Sequence, residues 1–286
     1  MYKSFIAPLS TILLVGAAAP AFAQDEAPAK DWTGVYVGGS IGMSWQPNYD
    51  RETLERLRFD TNGDGVFNNN VNTPAGANAF SPGFCRGRAL GATPGTCGGD
   101  KDKRLAFSGH IGYDMQMGNF VVGAVVEAGR SMIGNSVSGF STTPASYVLS
   151  RRVDWDGSAR LRAGYALPTN TLVYGTGGLA YAKIKNSFAT TNTANSFVET
   201  RGKDEDEWGW TAGGGVEQKI TDNFSLGVQY LYTRLKTEGY TVRAGQGAVP
   251  STTNPFVITP AGYTDMQRTN DKFEHNSVRV TASYRF

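Results

Sequence analysis

In the closing stretch HNSVRVTASYRF, Val278, Val280, Ala282, Tyr284 and Phe286 alternate with Ser277, Arg279, Thr281, Ser283 and Arg285. Successive side chains of a strand point to opposite faces, so one face is apolar and the other charged. Such a strand belongs either to a soluble sandwich, where the apolar face meets a second sheet, or to a membrane barrel, where it meets lipid. The rest of the chain decides between them. Strand character recurs over Trp32 to Ser44, Arg104 to Met117, Phe120 to Met132, Arg152 to Leu167, Thr171 to Ile184, Glu207 to Ile220, Phe224 to Thr237 and His275 to Phe286. The connections at Gly118-Asn119, Pro168-Thr169-Asn170 and Thr221-Asp222-Asn223 carry tight-turn chemistry. Those around residues 45–103, 133–151, 185–206 and 238–274 are long and polar. Short turns on one rim and long loops on the other predict an all-β, eight-stranded antiparallel transmembrane β-barrel. Its turns are periplasmic, its four long loops are extracellular, and an even strand count puts both ends of the barrel on the periplasmic side.

Strand parity supports a lipid exterior. In VDWDGSARLRAGYAL, Trp155, Gly157, Ala159, Leu161, Ala163, Tyr165 and Leu167 point outward, while Asp154, Asp156, Ser158, Arg160, Arg162, Gly164 and Ala166 point inward. Phe107, Ile111, Tyr113, Met115 and Met117 share an outward face opposite Ser108, His110, Asp114 and Gln116. Tyr113, Tyr165 and Phe224 near the turns, and Trp155, Trp208 and Tyr232 near the loops, are placed as two interfacial girdles. The stretch TLVYGTGGLAYAKI has no decisive parity.

Lys3 followed by an apolar run that closes on Ala21-Phe22-Ala23 is the pattern of a signal peptide over residues 1–23. A short segment, 24–31, then precedes a barrel domain over 32–286. No later apolar stretch is long enough for a transmembrane helix. A net charge of +2 with basic and acidic residues intermixed excludes the basic excess of a nucleic-acid binder.

The segments DWTGVYVGGSIGMSW, GYDMQMGNFVVGAVVEAG, ARLRAGYALPTNTLVYGTGGLAYA, WGWTAGGGVEQKITDNFSLGVQYLY and VRVTASYRF resemble the small, OmpA-like outer-membrane β-barrel proteins of alphaproteobacteria. That group includes major surface antigens and some proteins described as haemin-binding. The resemblance spans the strands and not the long loops. It implies residence in the outer membrane of a Gram-negative cell, contact with outer-membrane lipid, and a terminal Phe286 read by the barrel assembly machinery.

An eight-stranded barrel has room inside for side chains and little else. Glu127, Arg160, Arg162, Glu217, Arg279 and Arg285 share the polar parity of their strands, and unpaired burial would be costly, so a lumenal charge network is expected. The alternative is a narrow diffusion pore, porin-like in kind. Enzymatic chemistry would draw on His110 or His275, and Ser108, His110 and Asp114 lie along one strand axis and do not form a compact triad. The expectation is no enzyme, with His110 lumenal and His275 at an exposed loop edge.

The first long loop carries the most specific local chemistry. Asp60, Asn62, Asp64 and Gly65 repeat the first half of an EF-hand calcium loop, but Val71 stands where a bidentate Glu would complete it. Asn68, Asn69 or Asn70 could substitute, and good turn chemistry is the equal alternative. Cys85 and Cys97, the two cysteines of an exported chain, predict one disulfide. Leu54 with Leu57, Arg51 with Glu55 and Glu52 with Arg56 have helical spacing and predict a short surface helix. The expected function is structural and surface-interactive, a barrel that displays its loops; a receptor or adhesin for haem or a host ligand is the further alternative. No cofactor is required, and calcium is the candidate ion.

Overall fold

The computed structural model describes residues 31–47, 55–98, 103–248 and 250–286; the expected signal peptide and nearly all of the short segment after it lie outside them. The chain begins with β1 (Gly34–Trp45) and four short strands, β2 (Leu57–Asp60), β3 (Gly83–Arg86), β4 (Arg88–Ala89) and β5 (Cys97–Gly98). It continues through β6 (Lys103–Met117), β7 (Phe120–Arg130), β8 (Gly134–Ser141), β9 (Ala145–Leu167) and β10 (Thr171–Thr190). The last strands are β11 (Ser196–Arg201), β12 (Asp204–Lys219), β13 (Phe224–Lys236), β14 (Thr241–Gly245), β15 (Thr264–Arg268) and β16 (Lys272–Arg285).

Eight of these close a ring in the order β1-β6-β7-β9-β10-β12-β13-β16, and β16 pairs back onto β1 from Arg285↔Tyr36 to Asn276↔Trp45. Every ring contact is antiparallel, so the backbone hydrogen bonds are satisfied within the sheet, as a lipid environment demands. Gly118 at φ 62° and Asn170 at φ 60° supply the left-handed positions of two periplasmic turns. The exterior leaves Leu161 71%, Leu179 62% and Val280 53% exposed, within an apolar surface that only lipid would cover favourably. The undecided strand is now oriented: Leu172, Tyr174, Thr176, Ala180, Ala182 and Ile184 are buried inside, and Val173 and Leu179 face outward.

β9 departs from simple alternation. Its register with β10 slips between Lys183↔Trp155 and Ile184↔Val153, leaving Asp154 as an extra residue. Such a bulge turns the strand beyond it over. Asp154 therefore leaves the lumenal set and pairs with Lys185 at 2.7 Å, while Val153 and Arg151 become buried and Arg152 exposed.

The long connections differ most from expectation. They are not merely polar loops but a second β-structure. The upper parts of β9 and β10 extend with β8 and β3, and opposite them stands a separate four-stranded sheet, β11-β14-β15-β2. Between the two lies a core of Leu57, Phe59, Val71, Phe80, Val137, Tyr147, Leu149, Tyr240, Val242, Phe256 and Met266. The proposed surface helix is overturned where it can be seen: Leu57 begins β2 and pairs with Arg268, because its side chain is needed in this core. Arg51, Glu52 and Leu54 lie outside the described residues.

Candidate functional site

The polar faces of the eight strands converge in the lumen. Asp114 on β6, fully buried, accepts from Arg285 on β16 at 2.7 Å and pairs with Arg162 on β9 at 2.9 Å. Arg162 reaches on to Glu217 of β12 at 3.2 Å, and Ser225 of β13 donates to the same carboxylate at 2.6 Å. The rings of Tyr36 and Tyr174 lie 5.1 and 4.6 Å from the Arg162 guanidinium, which suits a cation held away from water. One layer higher, Glu127 of β7 accepts from Arg160 at 2.6 Å, from Ser108 at 3.0 Å, and also from Arg279. Arg279 additionally approaches Asp156 at 3.7 Å.

All six predicted lumenal residues, Glu127, Arg160, Arg162, Glu217, Arg279 and Arg285, are thus buried in two stacked ion-paired layers. Sequence reasoning left out two members, Asp114 and Asp156. Both carry the inward parity of their strands, and their addition makes four carboxylates for four guanidinium groups. That balance is what permits burial, since each charge needs a partner where water is scarce.

Apolar layers close the lumen on both sides of the charges. Trp32, expected as the first residue of a strand, instead packs with Val121, Ala166, Leu172 and Tyr174 across the periplasmic end. Gln116 accepts the Trp32 backbone N–H at 2.8 Å, while Arg285 donates to its carbonyl and Lys219 to that of Asp31. Toward the outside, Ile133, Val153, Ala180, Ala182, Ile184, Leu235 and Phe273 form an apolar stopper. His275 sits beside it, 2% exposed and 6.1 Å from the Phe273 ring, so its expected place at an exposed loop edge is wrong; the last strand starts earlier than its pattern suggested and carries the imidazole inside. Two cavities of about 20 Å³ remain around the network, one beside Tyr36, His110 and Glu217, the other beside Asp156, His275 and Arg279. Each has room for about one water.

Above the stopper, a polar collar joins the barrel to the extracellular sandwich. Arg151 donates to Asn135 at 2.9 Å and to the Lys272 carbonyl at 2.8 Å. Glu55 lies 3.7 Å from Arg268 and 3.9 Å from Arg86 and accepts from Asn270 at 3.1 Å. Burial opposes its ionisation, but Arg268, Arg151 and this hydrogen bond outweigh it and hold the carboxyl below its usual range.

Ser108, His110 and Asp114, which share one face of β6, are each held by other partners. Ser108 bonds Glu127, His110 Nε2 lies 2.9 Å from Ser283 Oγ, and Asp114 is committed to its two arginines.

In the calcium-like loop, Asp60 Oδ1 accepts the backbone N–H groups of Asn62 at 3.1 Å and Gly63 at 2.7 Å, and Oδ2 accepts that of Gly65 at 2.8 Å. Asn62 donates to Asp64 at 2.8 Å, Asn69 Oδ1 accepts from Thr61 at 2.9 Å, and Val71 is fully buried in the sandwich core. Among the described residues, no three His, Cys, Asp or Glu side chains form a metal cluster. Asp60 organises backbone donors as an Asx turn does, and Val71 is a core residue. Asp60→Ala should open the loop to chymotrypsin after Phe67 whether calcium or chelator is present. Protection that appears only with calcium and vanishes in Asp64→Ala would assign a cation instead. The predicted bond between Cys85 and Cys97 is formed, with β3 on one side and the β4–β5 hairpin on the other. Phe286 follows β16, is 73% exposed, and donates its N–H to the Val35 carbonyl at 3.0 Å.

A closed antiparallel ring with an apolar exterior, an ion-paired interior and strand-built connections on one rim defines an integral outer-membrane β-barrel protein. The chain belongs to the family described as outer membrane protein beta-barrel domain, whose model matches residues 9–286. It is 38% identical over 127 residues to a 31 kDa outer-membrane immunogenic protein of Brucella melitensis, covering 43% of this chain and 51% of that protein. The alignment thus spans about half that relative's length. It is also 31% identical over 165 residues to a 22 kDa outer membrane protein of Rhizobium leguminosarum bv. viciae, covering 57% of this chain and 68% of that one. Among solved structures, the outer membrane protein OprG of Pseudomonas aeruginosa aligns with a TM-score of 0.48 at 10% identity, over 91% of this chain and 100% of that one.

Proposed function

We propose that this protein is a non-conducting, non-enzymatic barrel whose work is to hold a folded β-sandwich at the cell surface. The stacked closure of the lumen supports this reading above all: an apolar floor at Trp32, a neutralised charge layer, and an apolar stopper at Phe273. Ions entering such a column would have to displace arginine–carboxylate contacts and cross two dry layers. The dispersal of Ser108, His110 and Asp114 among separate partners supports the non-enzymatic part. The relatives named as immunogenic are consistent with a surface-displayed sandwich. In this reading Phe286 is the residue offered to the assembly machinery, and the sandwich is the part that meets extracellular partners.

Planar-bilayer recording of the purified barrel tests it. The expected trace shows no discrete openings over the usual voltage range. Reproducible single-channel steps whose ion selectivity changes in Glu127→Gln would instead make the charge layer a conduction path.

A further inference from the structure

Just above the outer aromatic girdle, the outward face of β9 and β10 carries an arrangement that folding alone does not favour. Arg152 and Lys185 are directly opposite each other across the two strands, and both are exposed. Like charges in that relation are destabilising. Lys185 is relieved by its 2.7 Å bridge to Asp154 and by Asp204, opposite it on β12, which leaves Arg152 as the uncompensated member. Arg104, at the top of β6, and Arg88, on the β4–β5 hairpin, face the same space, and among the described residues neither they nor Arg152 forms an ion pair.

The space is a cleft of about 700 Å³, far larger than the lumenal voids, and no Asp or Glu lines it among the described residues. Exposed Leu90, at 78%, and Met132, at 43%, stand at its edge. Its depth is set by register. Trp155 is opposite Lys183, and Lys185 is two residues farther out, about 7 Å at the usual rise of a strand. Trp155 also stacks under Arg130 at 4.4 Å, and Trp208 packs on Tyr181 at 5.1 Å, so this level carries the amphipathic belt of a membrane interface. The cleft therefore opens where the headgroups of the outer leaflet lie.

We infer that this cleft binds the phosphorylated headgroup of an outer-leaflet glycolipid. Arg88, Arg104, Arg152 and Lys185 contact its phosphates, while Leu90 and Met132 meet the less polar sugar and acyl boundary. Arginine suits phosphate through paired N–H donors, and an exposed like-charge pair gains most from an anion that bridges it. The Cys85–Cys97 bond holds the β4–β5 wall of the cleft in place over β8 and β9.

The test titrates the full chain, folded in zwitterionic-detergent micelles, with diphosphorylated lipid A, monophosphorylated lipid A and inorganic pyrophosphate. Diphosphorylated lipid A should bind tightest, and the Arg152→Gln, Lys185→Gln double variant should weaken it by about tenfold or more, given the usual contribution of each basic residue at an anionic surface. Binding should fall as salt is raised. A Lys236→Gln, Lys272→Gln double variant, which removes another exposed and directly opposed like-charge pair on β13 and β16, away from the cleft, should match the native chain. Heat-shifted electrophoretic mobility verifies that each variant is folded, and Arg104→Gln replaces the double variant if that one is not. Equal affinity of the native and cleft variants for lipid A overturns the assignment. Pyrophosphate binding as tight as lipid A also overturns it, since the site would then be a solvent anion site and not a lipid one.

Discussion

Glu127→Gln should lower the unfolding free energy of the barrel by about 3–5 kcal/mol, the range found when one partner of a buried ion pair is removed. The substitution keeps the shape of the side chain and deletes its charge. Arg160 and Arg279 would then share no anion in that layer except Asp156, which reaches only Arg279, at 3.7 Å. The measurement is a urea titration in lipid vesicles, read by the mobility of unheated protein. Glu238→Gln is the matched control: Glu238 pairs with Arg201 at 2.7 Å, but both side chains are more than half exposed, and such pairs contribute about 1 kcal/mol or less. Adding Arg160→Met to Glu127→Gln should recover part of the loss, because the uncompensated cation is removed with it. Indistinguishable midpoints for Glu127→Gln and Glu238→Gln would mean that the lumenal charges are hydrated and that the layered closure is not what stabilises the barrel.

Phe80→Ala should separate the two halves of the molecule. Phe80 is 2% exposed, and its ring lies 4.4 Å from Phe59, 5.1 Å from Tyr147 and 5.9 Å from both Phe84 and Phe256. Truncating so large a buried ring costs about 3–5 kcal/mol. That loss falls on the sandwich core, which shares no residue with the lumenal apolar clusters. The expected result is rapid protease cutting within 55–98 and 238–271, with the eight ring strands still protected in the membrane. Reduction of Cys85–Cys97, which closes a short loop, should add to the effect, since cross-links of this span contribute about 3 kcal/mol in the chain-entropy account. Loss of barrel mobility together with the sandwich would show that the two fold as one unit.

The barrel was legible because its signal is local and repeated. A period of two sorts each strand into a lipid face and a lumenal face without knowledge of any neighbour. Arg160, Arg162, Glu217, Arg279 and Arg285 follow from parity alone. The limit of that rule appears at Asp154, where one extra residue exchanges the faces beyond it and brings Arg151 inside. The extracellular sandwich was not legible in the same way. Its strands are short, four residues in β2 and five in β14 and β15, and they are separated by Gly-, Asn- and Thr-rich stretches. The three-residue step from Leu54 to Leu57 suggested a helix, whereas Leu57 and Phe59 in fact face one core two residues apart.

The sequence by itself therefore determined that this chain makes a membrane barrel, which strands compose it, and which side chains of the regularly alternating strands enter its interior, since each of these depends on alternation along one strand. Only the tertiary structure decided which charges pair, that Trp32 and Phe273 close the lumen, and that the long connections fold into a sandwich. Met266 meets Phe59, and Asp114 meets Arg285, across gaps of more than a hundred residues. Contacts of that kind arise from how strands close and pack in space, and no local period records them.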